Sequence, residues 1–275
     1  LAVDKKYSFF NPKAGFNYDL NKKNKIYFSL SKAYREPTRS DFENNINIQP
    51  EELIDYELGW KYNAEKFLFN SNLYYMSYKN QLVLTGAIDD VGSPIRENSG
   101  KSYRMGVEVE SVYKATNKLN ISANISFSEN KNIDYKTNFN GVITNWGDTE
   151  ISFSPNIVSS AGILYNASDD LTFTLYNKLV GDQYMSNTES VISKLSSYST
   201  TDLNILYTIK NSSYFSEIII TAMLNNIFNK EYVSNGYYYT YDDTWSDPNI
   251  ITTIEGTGYY PQAKRNFLLG FTFKL

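Results

Sequence analysis

Apolar and polar side chains alternate with a period of two along most of this chain, the spacing of strands that present one face to an oily environment. Leu119, Ile121, Ala123, Ile125 and Phe127 alternate with Asn120, Ser122, Asn124, Ser126 and Ser128. Tyr56, Leu58, Trp60 and Tyr62 alternate with Asp55, Glu57, Gly59 and Lys61, and Met105, Val107 and Val109 are set against Arg104, Gly106, Glu108 and Glu110. At the end of the sequence Phe267, Leu269, Phe271, Phe273 and Leu275 share one face, with Leu268, Gly270, Thr272 and Lys274 on the other. The spacing predicts eleven strands, over 13–20, 25–33, 53–62, 66–83, 102–113, 119–128, 156–165, 171–180, 198–207, 217–228 and 267–275.

The connections alternate strictly between short and long. Short polar turns fall at 21–24, 63–65, 115–118, 166–170 and 210–213. Long connections run through Pro37 and Pro50, through Asp89, Asp90, Gly92 and Pro94, through Asp134, Gly141 and Trp146, around Met185 and Thr188, and from the tenth strand to Ala263. Each strand that descends into a short turn carries a tyrosine near its end: Tyr18, Tyr62, Tyr113, Tyr165 and Tyr207. Up-and-down strands build a sandwich or a barrel. A sandwich calls for connections of similar length at its two ends. A tyrosine ring beside short turns, with long loops opposite, is the interface pattern of a transmembrane barrel. The expected fold is therefore all-β, a transmembrane antiparallel up-and-down β-barrel integral to a bacterial outer membrane. The five tyrosines are its membrane-interface girdle, the short turns periplasmic and the long loops extracellular. An odd set leaves the first and last strands parallel, so it cannot close on itself as an antiparallel barrel. The expectation is that residues 1–275 are the C-terminal part of one larger barrel domain whose N-terminal partner strands are missing.

Composition sharpens this picture. Tyr numbers 25 and Phe 16, an excess that both strands and membrane interfaces favour. The mean hydropathy of −0.44 would suit a soluble protein, but only every second residue of a barrel strand meets lipid. No apolar run approaches the roughly 20 residues of a membrane-spanning helix. There is no Cys and no His, which excludes thiol chemistry, Ser-His-Asp hydrolysis, zinc hydrolysis and His-ligated haem within these residues. No cofactor or enzyme activity is expected. A net charge of −4 gives no reason to expect nucleic acid.

Three stretches resemble the TonB-dependent outer-membrane receptors. FNPKAGF from Phe10 to Phe16, followed by SLSKAYREP from Ser29 to Pro37, is similar to the family's P-K-x-G and S-x-A-Y-R-x-P segments. ELIDYELGW from Glu52 to Trp60, continued by Asn72 to Tyr75, is the second. LNNIFNKEY from Leu224 to Tyr232 is similar to the N-L-F-D-K-x-Y stretch before the final extracellular loop. The Asn-rich composition and the segment from Asp89 to Arg96 resemble a Bacteroidetes-type member. The resemblance implies a 22-stranded barrel plugged by an N-terminal globular domain, with a short box that binds TonB. It also implies uptake of a scarce nutrient driven by the inner-membrane proton gradient. A ferric siderophore or other metal chelate comes first, with cobalamin, haem or a glycan as alternatives. Neither plug nor box is recognisable in these residues. The partners implied are TonB through a missing N-terminal segment, outer-membrane lipid and lipopolysaccharide, and a surface lipoprotein. The terminal strand Phe267, Leu269, Phe271, Phe273 and Leu275 resembles the closing strand of outer-membrane barrels and would engage the barrel-assembly machinery. A passive porin, or a structural or adhesin-like barrel, fits the same alternation.

Binding-type chemistry concentrates in the last long connection: Tyr237, Tyr238, Tyr239, Tyr241, Trp245, Tyr259 and Tyr260, with Asp242, Asp243 and Asp247. Such aromatics stack on planar or sugar ligands with little loss of freedom, or else form an outer girdle or pack the loop. Trp146, in another long connection, is a further candidate for ligand binding. Arg35, Arg39 and Arg96 lie at or beyond the outer strand ends, where guanidinium forks suit anionic chelates, loop-anchoring ion pairs or lipopolysaccharide. The pairs Asp89–Asp90 and Asp242–Asp243 lack the spacing of a calcium loop and read as solvated turn residues. Asp55, Glu57, Lys61, Arg104, Glu108, Glu110 and Asp202 are expected on the polar wall, facing a plug or water rather than forming a catalytic pair.

Overall fold

The computed structural model describes residues 3–88, 91, 93–139, 142–210, 214–243, 245–246, 250 and 252–275. In chain order the strands are β1 (Lys13–Asn21), β2 (Asn24–Arg35), β3 (Glu51–Asn63), β4 (Phe67–Lys79), β5 (Leu82–Ile88), β6 (Pro94–Asn98), β7 (Lys101–Lys114), β8 (Leu119–Phe139) and β9 (Val142–Glu150). They continue with β10 (Ile157–Asn166), β11 (Leu171–Val180), β12 (Gln183–Tyr184), β13 (Lys194–Leu195), β14 (Tyr198–Lys210), β15 (Glu217–Asn225), β16 (Val233–Asp243), β17 (Thr252–Pro261) and β18 (Asn266–Lys274). Eleven form one continuous sheet in the order β1-β2-β3-β4-β7-β8-β10-β11-β14-β15-β18, with β9 added at the far end of β8. Every pairing is antiparallel. The barrel wall is partial and unclosed: among the described residues β1 and β18 each pair on one side only.

The pairing register carries one apolar face across the whole sheet. Tyr18 lies opposite Ile26, Ile26 opposite Trp60, and Tyr62 opposite Phe69. The row continues through Phe67 and Tyr113, Tyr113 and Ile121, and Ile121 and Ile163. It ends through Tyr165 and Phe173, Leu171 and Tyr207, Tyr207 and Ile220, and Ile220 and Phe271. Since directly paired residues share a face, all five predicted tyrosines project from the same side, beside the short turns. Two of those turns are closed by short side chains, while residues 211–213 of the fifth expected turn lie outside the described residues. The Asn21 carboxamide oxygen accepts from the Lys23 and Asn24 amides at 2.9 and 3.0 Å, and the Thr116 hydroxyl accepts from Lys118 and Leu119 at 3.1 and 3.0 Å. On the terminal strand Phe267, Leu269, Phe271 and Phe273 join the apolar face, and Leu275 follows its end.

Among the described residues nothing covers this face: Leu73 is 52% exposed, Ile163 42% and Phe271 55%. A contiguous oily surface of that extent needs a non-aqueous neighbour. Apart from Val180 at the crown end of β11, the buried apolar side chains lie in the long connections and the far extension of β8. Phe42, Ile48 and Leu82 form one cluster, with Val3 and Tyr7 against it; Met185, Leu195 and Tyr238 form another, with Phe153 and Val233.

Four sequence expectations are corrected here. The fourth strand does not run on to residue 83. It stops at Lys79, because Asn80 adopts a left-handed backbone (φ 57°), and Leu82 starts a separate hairpin with β6. The sixth strand does not stop at Ser128 but continues to Phe139, where it pairs with β9 through Glu150, Thr149 and Asn145. The tenth strand ends at Asn225, not residue 228, where Asn226 turns left-handed (φ 51°). The last long connection is itself a hairpin, β16–β17. A short helix, α1 (Arg39–Asn44), also interrupts the first long connection. It is started by a capping box in which the Thr38 amide donates to Asp41 and the Asp41 amide donates to Thr38.

Candidate functional site: the crown of long connections

The long connections gather at one end of the sheet and bond to one another. Asn187, in the connection between β12 and β13, is their hub: its side-chain oxygen accepts from the Ser152 amide at 3.0 Å and from Asn132 at 3.3 Å, and its NH2 donates to the Leu84 carbonyl. Fully buried Tyr135 on β8 donates to Glu97 on β6 at 2.8 Å. Burial pushes the Glu97 carboxyl above its ordinary range, and the same desolvation, with Glu97 beside it, pushes the Tyr135 hydroxyl up. Lys131 pairs with Glu150 at 2.8 Å and with Glu189 at 3.8 Å, joining β8, β9 and the Asn187 segment.

The β16–β17 hairpin is set on this base by Asn226, whose role the sequence reading missed. Its amide donates to Asp202 at 2.7 Å, its side-chain oxygen accepts from the Lys230 amide at 2.8 Å, and its NH2 donates to the Lys230 and Ala263 carbonyls. Asn229, also left-handed (φ 56°), accepts from the Arg265 amide. The stretch from Leu224 to Tyr232 is therefore a clamp that closes both ends of the last connection. Two asparagines three apart after an apolar strand were the available signal, since Asn tolerates that backbone.

The hairpin separates its tyrosines by face. Tyr238 points inward onto Met185 and Leu195, and its hydroxyl donates to Glu255 at 2.6 Å; burial and that carboxylate push the hydroxyl up. Ser190 donates to the other oxygen of Glu255 at 2.9 Å, and Tyr259 donates to the Ile192 carbonyl at 3.0 Å. On the opposite face Tyr237, Tyr239 and Tyr241 form a ladder with ring centroids 6.1 and 6.4 Å apart and planes within 26° and 18°. Tyr260 sits 6.0 Å from Tyr237. The cross-strand partners of Tyr237 and Tyr239 are Gly258 and Gly256. A Cβ there would come within 2.2 and 2.3 Å of the rings, so the glycines let the tyrosines lie flat across the partner strand.

The other predicted site residues are dispersed. Trp245, 90% exposed, lies beyond β16, its amide bonded to Asp243. Trp146 on β9 donates its indole N–H to Thr137 at 3.0 Å. Arg35 ends β2, exposed and without an ion pair among the described residues, whereas Arg39 pairs with Glu43 at 2.7 Å and Arg96 lies 3.8 Å from buried Asp41. Asp89, Asp90 and Asp247 lie outside the described residues. No group of three potential metal ligands occurs among the described residues. Asp55, Glu57, Lys61, Arg104, Glu108, Glu110 and Asp202 all fall on the face opposite the apolar one. There Arg104 donates to Ser154 at 2.8 Å and Asn70 donates to Glu110 at 3.2 Å. Glu57, Asn72, Arg104 and Glu108 line an open groove with Asn130 and Pro155.

An antiparallel wall with one oily and one polar face, short turns at one end and a bonded crown at the other, is that of a transmembrane β-barrel. The model of the TonB dependent receptor-like, beta-barrel family matches residues 2–229, and the chain belongs to that family, whose members are outer-membrane proteins. Among solved structures it is similar to the siderophore receptor PiuA from Acinetobacter baumannii (18% identity, TM-score 0.69), covering 95% of this chain and 35% of that one. It is also similar to the ferric yersiniabactin uptake receptor FyuA from Yersinia pestis (17%, TM-score 0.65; 94% and 36% covered) and to the copper transporter OprC (17%, TM-score 0.68; 95% and 39% covered). The chain thus spans well under half the length of these structures. No curated protein matches the sequence.

Proposed function

We propose that this chain forms wall and outer loops of a TonB-dependent receptor that imports a scarce nutrient across the outer membrane, with a ferric siderophore or other metal chelate as cargo. The observation that carries the cargo reading is the tyrosine ladder Tyr237, Tyr239, Tyr241 and Tyr260 on the exposed side of the β16–β17 hairpin. Flat, rigid rings held over glycine suit stacking on the planar aromatic or conjugated groups of a chelate. Trp245 and Trp146 add aromatic surface in the same crown, and Arg35 offers a guanidinium for an anionic chelate. The names of the similar structures, a siderophore receptor, a ferric yersiniabactin uptake receptor and a copper transporter, favour a metal-bearing cargo.

In this reading the crown is extracellular and the short turns periplasmic. Tyr18, Tyr62, Tyr113, Tyr165 and Tyr207 mark the periplasmic interface, and β18 is the strand read by the assembly machinery. The free edges of β1 and β18, which run parallel, meet an odd number of further strands that close the barrel. A plug rests on the polar face, and TonB couples transport to the proton gradient. Deleting the gene should abolish uptake of at least one ferric chelate, as should loss of TonB. Normal uptake of every chelate tested would defeat the proposal. The reconstituted protein should be nearly silent in conductance, whereas steady open-channel current would point to a passive porin.

A further inference from the structure

The outward face ends, at the crown side, in a row set by pairing register: Tyr34, Glu52, Lys79, Lys101 and Ile133 on five adjacent strands. Lys79 and Lys101 are direct cross-strand partners, both exposed, and among the described residues neither ammonium has an ion-pair partner. The nearest carboxylate in the row, Glu52, is bonded to Lys32 at 3.2 Å, and Lys131 one row below is taken by Glu150 at 2.8 Å. Glu52, directly opposite Lys79 on its other side, attracts it but is shared with Lys32, so the Lys79–Lys101 pair keeps an excess of positive charge whose mutual repulsion an added anion would relieve.

Their height identifies the anion. Tyr56, Tyr75 and Tyr103 form an aromatic belt on the same face, with ring centroids 6.5 and 6.2 Å apart. Lys79 lies four residues beyond Tyr75, roughly 13 Å along the strand and about 10 Å along the membrane normal for a strand tilted about 40°. Counted from Phe67 at the short-turn end, a band about 25 Å tall ends near Ser77. The two ammonium groups therefore stand just above the apolar band, at the level of lipid headgroups.

We propose that Lys79 and Lys101 form a binding site for the phosphate group of a membrane lipid in the leaflet next to the crown, with Tyr34 and the Tyr75–Tyr103 pair flanking the lipid below and beside it. The site rests on the apolar face being the lipid face and is independent of what the protein imports. It is tested on the full-length protein in detergent, by native mass spectrometry with diphosphoryl lipid A titrated in and phosphatidylethanolamine as zwitterionic control. The wild type should retain lipid A, and K79Q/K101Q should bind it about tenfold or more weakly, given two lost headgroup charges. K79R/K101R should restore binding, and unchanged heat-modifiable mobility of all three on gels establishes that each is folded. Equal retention of lipid A by wild type and K79Q/K101Q, or equal retention of phosphatidylethanolamine and lipid A by the wild type, would overturn the proposal. So would displacement of lipid A by a large excess of inorganic phosphate, which would make this a free-anion site. Because binding is read without transport, failure here leaves the import reading intact, and the reverse also holds.

Discussion

The Tyr135 hydroxyl donates to Glu97 Oε1 across 2.8 Å and ties the far extension of β8 to the β5–β6 hairpin in a place water does not reach at the tyrosine ring. Burial lifts the Glu97 carboxyl above its ordinary value of 4.5. A carboxyl whose folded value is raised favours the protonated crown. Its contribution is complete below 4.5 and is lost as pH rises through the folded value. Hydrogen exchange around Glu97 and Tyr135, corrected for intrinsic rates, should show protection falling as pH climbs from 4.5. Glu97→Gln should flatten that slope.

Tyr135→Phe should loosen the crown without melting the wall. It leaves a half-buried acceptor without this donor, at a cost of about 1 kcal/mol. Because the bond joins two loops, the loss should show as faster exchange in β6 and the far part of β8, with the thermal transition of the barrel unchanged. A lowered barrel transition would mean that wall and crown unfold together.

Gly256→Ala with Gly258→Ala should dismantle the tyrosine ladder and leave the hairpin. The new methyl groups would fall within 2.3 and 2.2 Å of ring atoms of Tyr239 and Tyr237, forcing the rings off the partner strand. Chelate affinity should drop several-fold, by the roughly 1 kcal/mol typical of a lost aromatic contact. Unchanged affinity would remove the ladder from the binding site.

Neighbouring residues on β8 should answer oppositely to the same charge. Ile125 lies opposite Val109 and Ser159 on the apolar face, while Ser126 lies opposite Glu108 on the polar one. Ile125→Arg should destabilise the assembled barrel by about 2–4 kcal/mol, the cost of a cation near the bilayer midplane. Ser126→Arg should cost close to nothing, since its guanidinium meets Glu108. Urea titration of protein folded into lipid vesicles measures both.

The wall was legible in the sequence because lipid imposes a period of two that nothing else in the chain competes with; the strand over 171–180 and the outward Phe267, Leu269, Phe271 and Phe273 follow from it directly. The pattern misled where the chain leaves the membrane. Leu82 and Val83 continue the oily run of β4 although Asn80 has already turned the backbone. Lys131, Asn132 and Asp134 carry no alternation although β8 continues through them. The consecutive tyrosines 237–239 masked the strand period of β16. The crown was the least legible, because its bonds span distances no local pattern records, such as Asn187 to Leu84, 103 residues apart.

The central claim, that one continuous face of this sheet is the lipid face of an outer-membrane barrel, is tested most directly by spin labels. The chain contains no Cys, so single cysteines can be placed at each position from 121 to 127 on β8 and labelled with a nitroxide in the reconstituted protein. Relaxation by oxygen, which concentrates in lipid, should peak at Ile121, Ala123, Ile125 and Phe127, and relaxation by a water-soluble nickel chelate at Ser122, Asn124 and Ser126. Profiles without a period of two, or with the two phases exchanged, would contradict the account.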